Sequence, residues 1–166
     1  MEKIIIQGNY HLKPVDVYFT KSRQRTSKVT VFVQGLFGVF EPNDQEDKIN
    51  LLVKKLTEEG VSHCVNYNSS RDFSYDSQAD FNYRMEAFKE KTFEEELGDL
   101  KSVVKWVIDN SSEIFGITKE ELKLNICGSS LGGTLAVLLE EHFPIIEKIS
   151  LAGSGCGTNG STKPIL

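Results

Sequence analysis

The sequence predicts one α/β domain built as a three-layer α/β/α sandwich. Three observations predict it. Short β-branched and aromatic runs alternate with segments of helical apolar spacing, a serine flanked by glycines stands between one such run and the next helix, and 166 residues suit a single domain with a sizeable core. The composition agrees: 39% hydrophobic and 26% charged residues, with 13 Gly and 4 Pro, lack the biases of disordered, collagenous or disulfide-scaffold chains.

Val15 to Phe19 and Val29 to Val33 read as two antiparallel strands separated by the polar stretch Thr20 to Lys28, so the chain is expected to open with a hairpin. Asn43 followed by Glu46 resembles a capping box, and Ile49, Leu52, Val53 and Leu56 then recur at helical spacing up to Gly60. Val61 to Val65 reads as a buried strand, and Asn66 to Phe81 has no clean period. Phe93, Leu97, Leu100, Val103, Val104, Val107 and Ile108 form one apolar stripe, with Glu94, Glu95 and Glu96 in the first turn where they favour the helix dipole. Leu122 to Cys127 is the next strand, Leu131 to Phe143 a mostly apolar helix stopped by Pro144, and Ile149 to Ala152 a last short strand. Strands alternating with helices imply parallel strands joined by crossovers.

A net charge of −5, from 19 Lys and Arg against 24 Asp and Glu, argues against a nucleic-acid partner, since phosphate-backbone affinity is built from clustered cations. The one basic cluster, Lys21, Arg23, Arg25 and Lys28, reads as a solvated turn. Cys64, Cys127 and Cys156 are odd in number and lack CxxC spacing, which suggests neither a disulfide framework nor a zinc cluster. Ile4 to Ile6 is too short for a signal-peptide core, and no apolar stretch spans a bilayer. A cytoplasmic protein with no membrane span is expected.

Gly128-Ser129-Ser130-Leu131-Gly132 is a G-x-S-x-G match placed between a strand and a helix. On so tight a turn the serine crowds its neighbours, and residues lacking Cβ let strand and helix pass while Ser130 Oγ projects above the carboxyl edge of the sheet. A helix N-terminus at Ser130 also sets partial positive charge where an oxyanion would form. Gln34-Gly35-Leu36-Phe37-Gly38, directly after the Val29 to Val33 strand, could turn a backbone N–H of Leu36 or Phe37 toward that serine.

With these motifs in view, the sequence resembles the α/β-hydrolase superfamily over almost its whole length. Gln34 to Gly38 is similar to the family's H-G-x-x-G oxyanion loop, and Cys127 to Gly133, C-G-S-S-L-G-G, to its nucleophile elbow. The order of elements is closer to the serine esterases, monoacylglycerol lipases and serine aminopeptidase-like hydrolases than to the large lipases. The resemblance implies Ser130 as nucleophile, an oxyanion hole from the backbone N–H groups of Leu131 and of Leu36 or Phe37, and structural roles for Gly35, Gly38, Gly128 and Gly132. It implies a small-molecule ester substrate, no cofactor and no metal. Two departures stand out: Gln34 replaces the usual loop histidine, and no aspartate follows Ser130. The only later histidine, His142, lies twelve residues along a helix, about 18 Å away.

The resemblance therefore implies an α/β-hydrolase fold truncated after the sixth strand, residues 1–166 being one incomplete domain whose acid- and histidine-bearing part is absent. Alone, such a chain would leave the Ile149 to Ala152 strand as an uncovered edge suited to self-association. Two functions fit: a serine hydrolase acting through an acyl-enzyme on Ser130, or a non-catalytic fragment or binding module on the same scaffold. Gly155 to Gly160 matches G-x-G-x-x-G but has no helix or acid after it, and Asp72, Asp76 and Asp80 lack the pattern of a calcium loop. Phe37, Phe40, Phe73 and Tyr75 are candidate acyl-pocket residues.

Overall fold

A computed structural model describes residues 1–35, 38–71, 86 and 89–153. Leu36, Phe37, the Asp72, Asp76 and Asp80 series, Phe73, Tyr75, Cys156 and the glycine-rich stretch 155–160 lie outside the described residues.

The hairpin that opens the chain is not the expected one. β1 (Glu2–Gln7) pairs antiparallel with β2 (Pro14–Thr20), aligning Ile4 with Val17 and Ile6 with Val15. β2 then pairs antiparallel with β4 (His63–Asn68), while β3 (Lys28–Val33) lies between β4 and β5 (Lys123–Ser129), parallel to both. With β6 (Ile146–Ala152) parallel to β5, the sheet order is β1-β2-β4-β3-β5-β6. The reason is burial. Val29 to Val33 are all buried, on both faces, which suits a central parallel strand and not a member of an edge hairpin.

Helices cover both faces. On one, α1 (Lys48–Glu58) places Ile49, Val53 and Leu56 over Phe32 and Cys64. On the other, α2 (Phe93–Phe115) and α3 (Leu131–Glu140) bury Leu100, Val103, Val104, Val107, Leu135 and Leu139 against Val17, Val31, Val65 and Ile126. The three-layer arrangement expected from the sequence is thus present.

Helix starts follow side-chain chemistry. α1 begins four residues after the expected Asn43 cap, because Asp44 Oδ1 accepts from the N–H groups of Glu46 and Asp47 and turns the chain before the helix. Asp47 is the cap, accepting from Ile49 N at 2.8 Å and Asn50 N at 3.1 Å. α2 opens with a capping box between Thr92 and Glu95 and runs past Ile108 to Phe115.

One buried carboxylate ties the layers together. Asp99, on α2, is 0% exposed; its Oδ1 accepts from Asn9 N at 2.6 Å, and its Oδ2 from Ser70 N at 2.7 Å, Ser70 Oγ at 2.6 Å and Lys91 Nζ at 2.6 Å. Lys91, 1% exposed, also contacts Glu96 at 2.5 Å. Three segments, the β1–β2 turn, the exit of β4 and the approach to α2, are thereby fixed to one side chain. Replacing Asp99 by Ala strands the Lys91 ammonium beside a single remaining carboxylate, and the expected cost is about 3–5 kcal/mol, read as a lower urea midpoint with an unchanged slope.

Candidate active site

β5 delivers the chain to Ser130 at the carboxyl edge of the sheet, and α3 begins at Leu131. Ser130 adopts φ 52°, ψ −122°, a region that costs a residue with a side chain about 1–3 kcal/mol. Its N–H donates to Ala152 O at 3.2 Å, which fastens the turn to β6, and its carbonyl accepts from Gly133 N at 3.0 Å. Although Ser130 occupies the N-cap position of α3, its side chain makes no capping bond, and the residue is exposed. The hydroxyl is therefore presented outward at the positive end of the helix.

The turn closes only because two positions lack Cβ. A Cβ on Gly132 would strike the carbonyl oxygen of Val33 and lie 2.5 Å from that of Gln34; one on Gly128 would strike the carbonyl oxygen of Gly132. These are backbone atoms, which cannot swing away. The close approach brings the end of β3 against the elbow, so the Cβ position of Gly35 lies 3.2 Å from Ser130 Cβ and 3.7 Å from Ser130 Oγ.

The structure thus brings together the two motifs picked out in the sequence, the Gln34 to Gly38 loop and the Gly128 to Gly132 turn. Gly38 N donates to Gly35 O at 2.9 Å, closing the loop, and Gln34 Cβ and Oε1 lie 2.8 Å and 3.0 Å from the Cβ position of Gly38. The glutamine side chain packs across its own loop. Leu36 and Phe37 lie outside the described residues, while Leu131 heads α3, where an N–H has no intrahelical acceptor. Behind the loop a polar cavity of about 10 Å³, enough for one water, is bounded by Gly35 and Gly38 together with Tyr67, Arg71 and Glu96. Phe40, the remaining described candidate for an acyl pocket, is instead 1% exposed and packs on Tyr18.

None of the three histidines joins Ser130. His63 begins β4 and so sits at the opposite, amino-terminal edge of the sheet; it is 5% exposed, and its Nδ1 accepts from Ser22 N at 3.1 Å. Its Nε2 then carries the proton and donates to Thr26 O at 3.3 Å. Burial holds the imidazole below its ordinary value, against the Thr26 carbonyl and with a smaller push from Lys21. His11 is exposed in the β1–β2 turn with its ring against Tyr10, three strand spacings or more from β5, about 14 Å. His142 is exposed beyond the end of α3.

Burial also raises both described thiols, Cys64 to about 12 and Cys127 less far. Among the described residues no three His, Cys, Asp or Glu side chains converge as a metal would need. The buried set of Asp99, Ser70 and Lys91 was not picked out from the sequence. Its one sequence signal is an acid a helical turn before Val103, on the inner face of α2.

By sequence, the chain matches no protein-family model and no curated protein. By structure it is similar to a thermostable carboxyl esterase from Bacillus coagulans at 14% identity and TM-score 0.65, covering 92% of this chain and 44% of that one. It is similar to a fungal esterase of Rhizomucor miehei at 17% identity and TM-score 0.63, covering 98% and 46%, and to an α/β serine hydrolase homologue from Coxiella burnetii at 17% and 0.57, covering 96% and 65%. The likeness is one of fold: this chain has the α/β-hydrolase fold over part of that fold's extent. It spans between 44% and 65% of the length of these three proteins.

Two measurements follow from the geometry. Gly132→Ala drives a methyl group into backbone and is expected to cost about 3 kcal/mol or more, or to prevent folding, as read by circular dichroism and urea titration. For His63 the folded value lies below the unfolded one of about 6.5, so protons favour the unfolded chain; stability is full above that pH and falls as pH drops through it. Urea midpoints between about pH 7 and pH 6 should decline less in His63→Gln than in the parent chain.

Proposed function

We propose that the protein is a serine hydrolase that cleaves a carboxylic ester, with amides and thioesters as chemically related substrates, through an acyl-enzyme on Ser130. The observation that carries this reading is the strained, exposed Ser130, uncommitted to capping, pressed against Gly35 of a loop that follows the neighbouring parallel strand. Strain concentrated at a single exposed hydroxyl is what presenting that atom as a nucleophile would leave in the backbone.

In this reaction Ser130 Oγ attacks the acyl carbon and loses its proton to a general base. The carbonyl oxygen becomes an oxyanion held by the N–H of Leu131 and by one from Leu36 or Phe37. Collapse expels the alcohol, which takes up the proton, and water then releases the acid by the same route. His11, His63 and His142 are all too far from Ser130 to be that base, so the reading assigns the base and its acid partner to sequence outside the described residues.

The same placement of the histidines favours a second reading, a binding module on a hydrolase scaffold whose elbow persists as architecture. Where nothing covers it, the outer edge of β6, with Leu151 47% exposed, is the surface for self-association. Free thiols at Cys64 and Cys127 suit a reducing, cytoplasmic compartment. No helix among the described residues is long and apolar enough to cross a membrane.

A fluorophosphonate probe, applied to a chain that includes the segment bearing the base and followed by peptide mass spectrometry, separates the two. The hydrolase reading expects adduct on Ser130, lost in Ser130→Ala along with any ester turnover; no adduct, and turnover equal to that of Ser130→Ala, supports the module. Independently of activity, Ser130→Gly should relieve the backbone and raise unfolding free energy by about 1 kcal/mol, while Ser130→Ala should not.

A further inference from the structure

The amino-terminal edge of the sheet carries a second cleft, remote from Ser130. It has a volume of about 580 Å³ and lies between the β2–β3 connection, residues 21–27, and the turn after α2. Lys21, Arg23 and Arg25 line one side, and Phe115 and Ile117 give the cleft an apolar wall. In a chain of net charge −5, three cations on one cleft against a single lining acid, Glu121, is a local reversal of sign. The Glu121 carboxylate is turned back onto Thr118, 3.4 Å from its N–H and 3.3 Å from its hydroxyl.

The loop that bears the cations is held from beneath. His63 uses both ring nitrogens on it, accepting from Ser22 N and donating to Thr26 O. Arg23 N donates to Thr57 O at 2.9 Å, and Ser27 O accepts from Lys123 N at 2.9 Å. The cations therefore project from a fixed backbone. Arg23 spends one guanidinium nitrogen on Glu58 at 2.9 Å and Lys21 stands 3.8 Å from Glu2, whereas Arg25 makes no ion pair among the described residues. The Arg25 guanidinium and the nitrogens that Arg23 leaves unspent offer paired donors of the kind that phosphate oxygens take in bidentate contacts, with the Lys21 ammonium beside them.

We infer that this cleft binds a phosphomonoester or pyrophosphate group, with an attached apolar body lying on Phe115 and Ile117. The inference is independent of any chemistry at Ser130, because the cleft and the elbow occupy opposite edges of the sheet.

The test is isothermal titration calorimetry of the full chain with inorganic pyrophosphate at low and physiological ionic strength, alongside co-sedimentation with phosphatidylcholine vesicles with and without phosphatidic acid. The ring nitrogens of His63 are followed by NMR in the same titrations. Saturable binding is expected, with a shift at His63 and a loss of affinity of about tenfold or more in Arg23→Gln/Arg25→Gln. Arg25→Gln alone keeps the Arg23–Glu58 pair and should still weaken binding. Lys105→Gln/Lys119→Gln removes the same net charge elsewhere and should leave binding near that of the parent. Response to pyrophosphate identifies a soluble phosphate ester, and response to phosphatidic acid alone a lipid headgroup; both support the site. Equal weakening in both double variants, or heats that sulfate reproduces at matched ionic strength, mean an adventitious ion only and overturn the inference, as does the absence of saturable binding to either probe.

Discussion

The contact between Gly132 and the carbonyl oxygens of Val33 and Gln34 governs the carboxyl edge of this molecule. It sets how closely α3 can approach β3, and with the parallel register of Val33 against Gly128 it fixes where the two strands end relative to each other. Ser130 has a loop beside it only because nothing larger than hydrogen stands at that crossing. The unfavourable backbone of Ser130 follows from the same contact, since a chain leaving β5 must reverse within one residue to enter a helix packed that tightly. Strain at one residue is thus the local cost of so close a crossing of α3 over β3.

The two edges of the sheet solve the problem of buried polarity in opposite ways. Near the carboxyl edge a full negative charge, Asp99, is kept inside and matched by an ammonium and by N–H and O–H donors. At the amino-terminal edge His63 is kept neutral, and its two nitrogens satisfy one donor and one acceptor of a single loop. The first arrangement unites segments far apart in sequence; the second rigidifies a loop against the strand beside it. Both leave the buried groups bonded, which is what a low-dielectric interior demands.

Much of this was legible in the sequence, and for identifiable reasons. The elbow could be read because tight geometry demands glycine at fixed offsets, and the α2 stripe because a long amphipathic helix repeats its signal seven times. Strand pairing could not. Val15 to Phe19 and Val29 to Val33 look alike as β runs, and only the burial of β3 on both faces, a tertiary property, sends it to the centre and lets β4 intervene. The helix start differs from the Asn43 expectation for a related reason: Asp44 takes the N–H groups of Glu46 and Asp47 for a turn, and Asn50 Nδ2 braces that turn by donating to Glu41 O at 2.6 Å and Asp44 O at 2.8 Å, which leaves Asp47 to cap the helix. Asp99 is not legible, because one buried acid in a helix looks, in sequence, like a solvated one.

Asp99 has a consequence for how such a scaffold can diversify. Its Oδ2 accepts from Ser70 and from Lys91, so two positions far apart in sequence are tied to one atom. With both ends tied there, a change in the number of residues between Ser70 and Lys91 is expected to alter mainly a closure entropy that grows by about 0.6 kcal/mol per doubling.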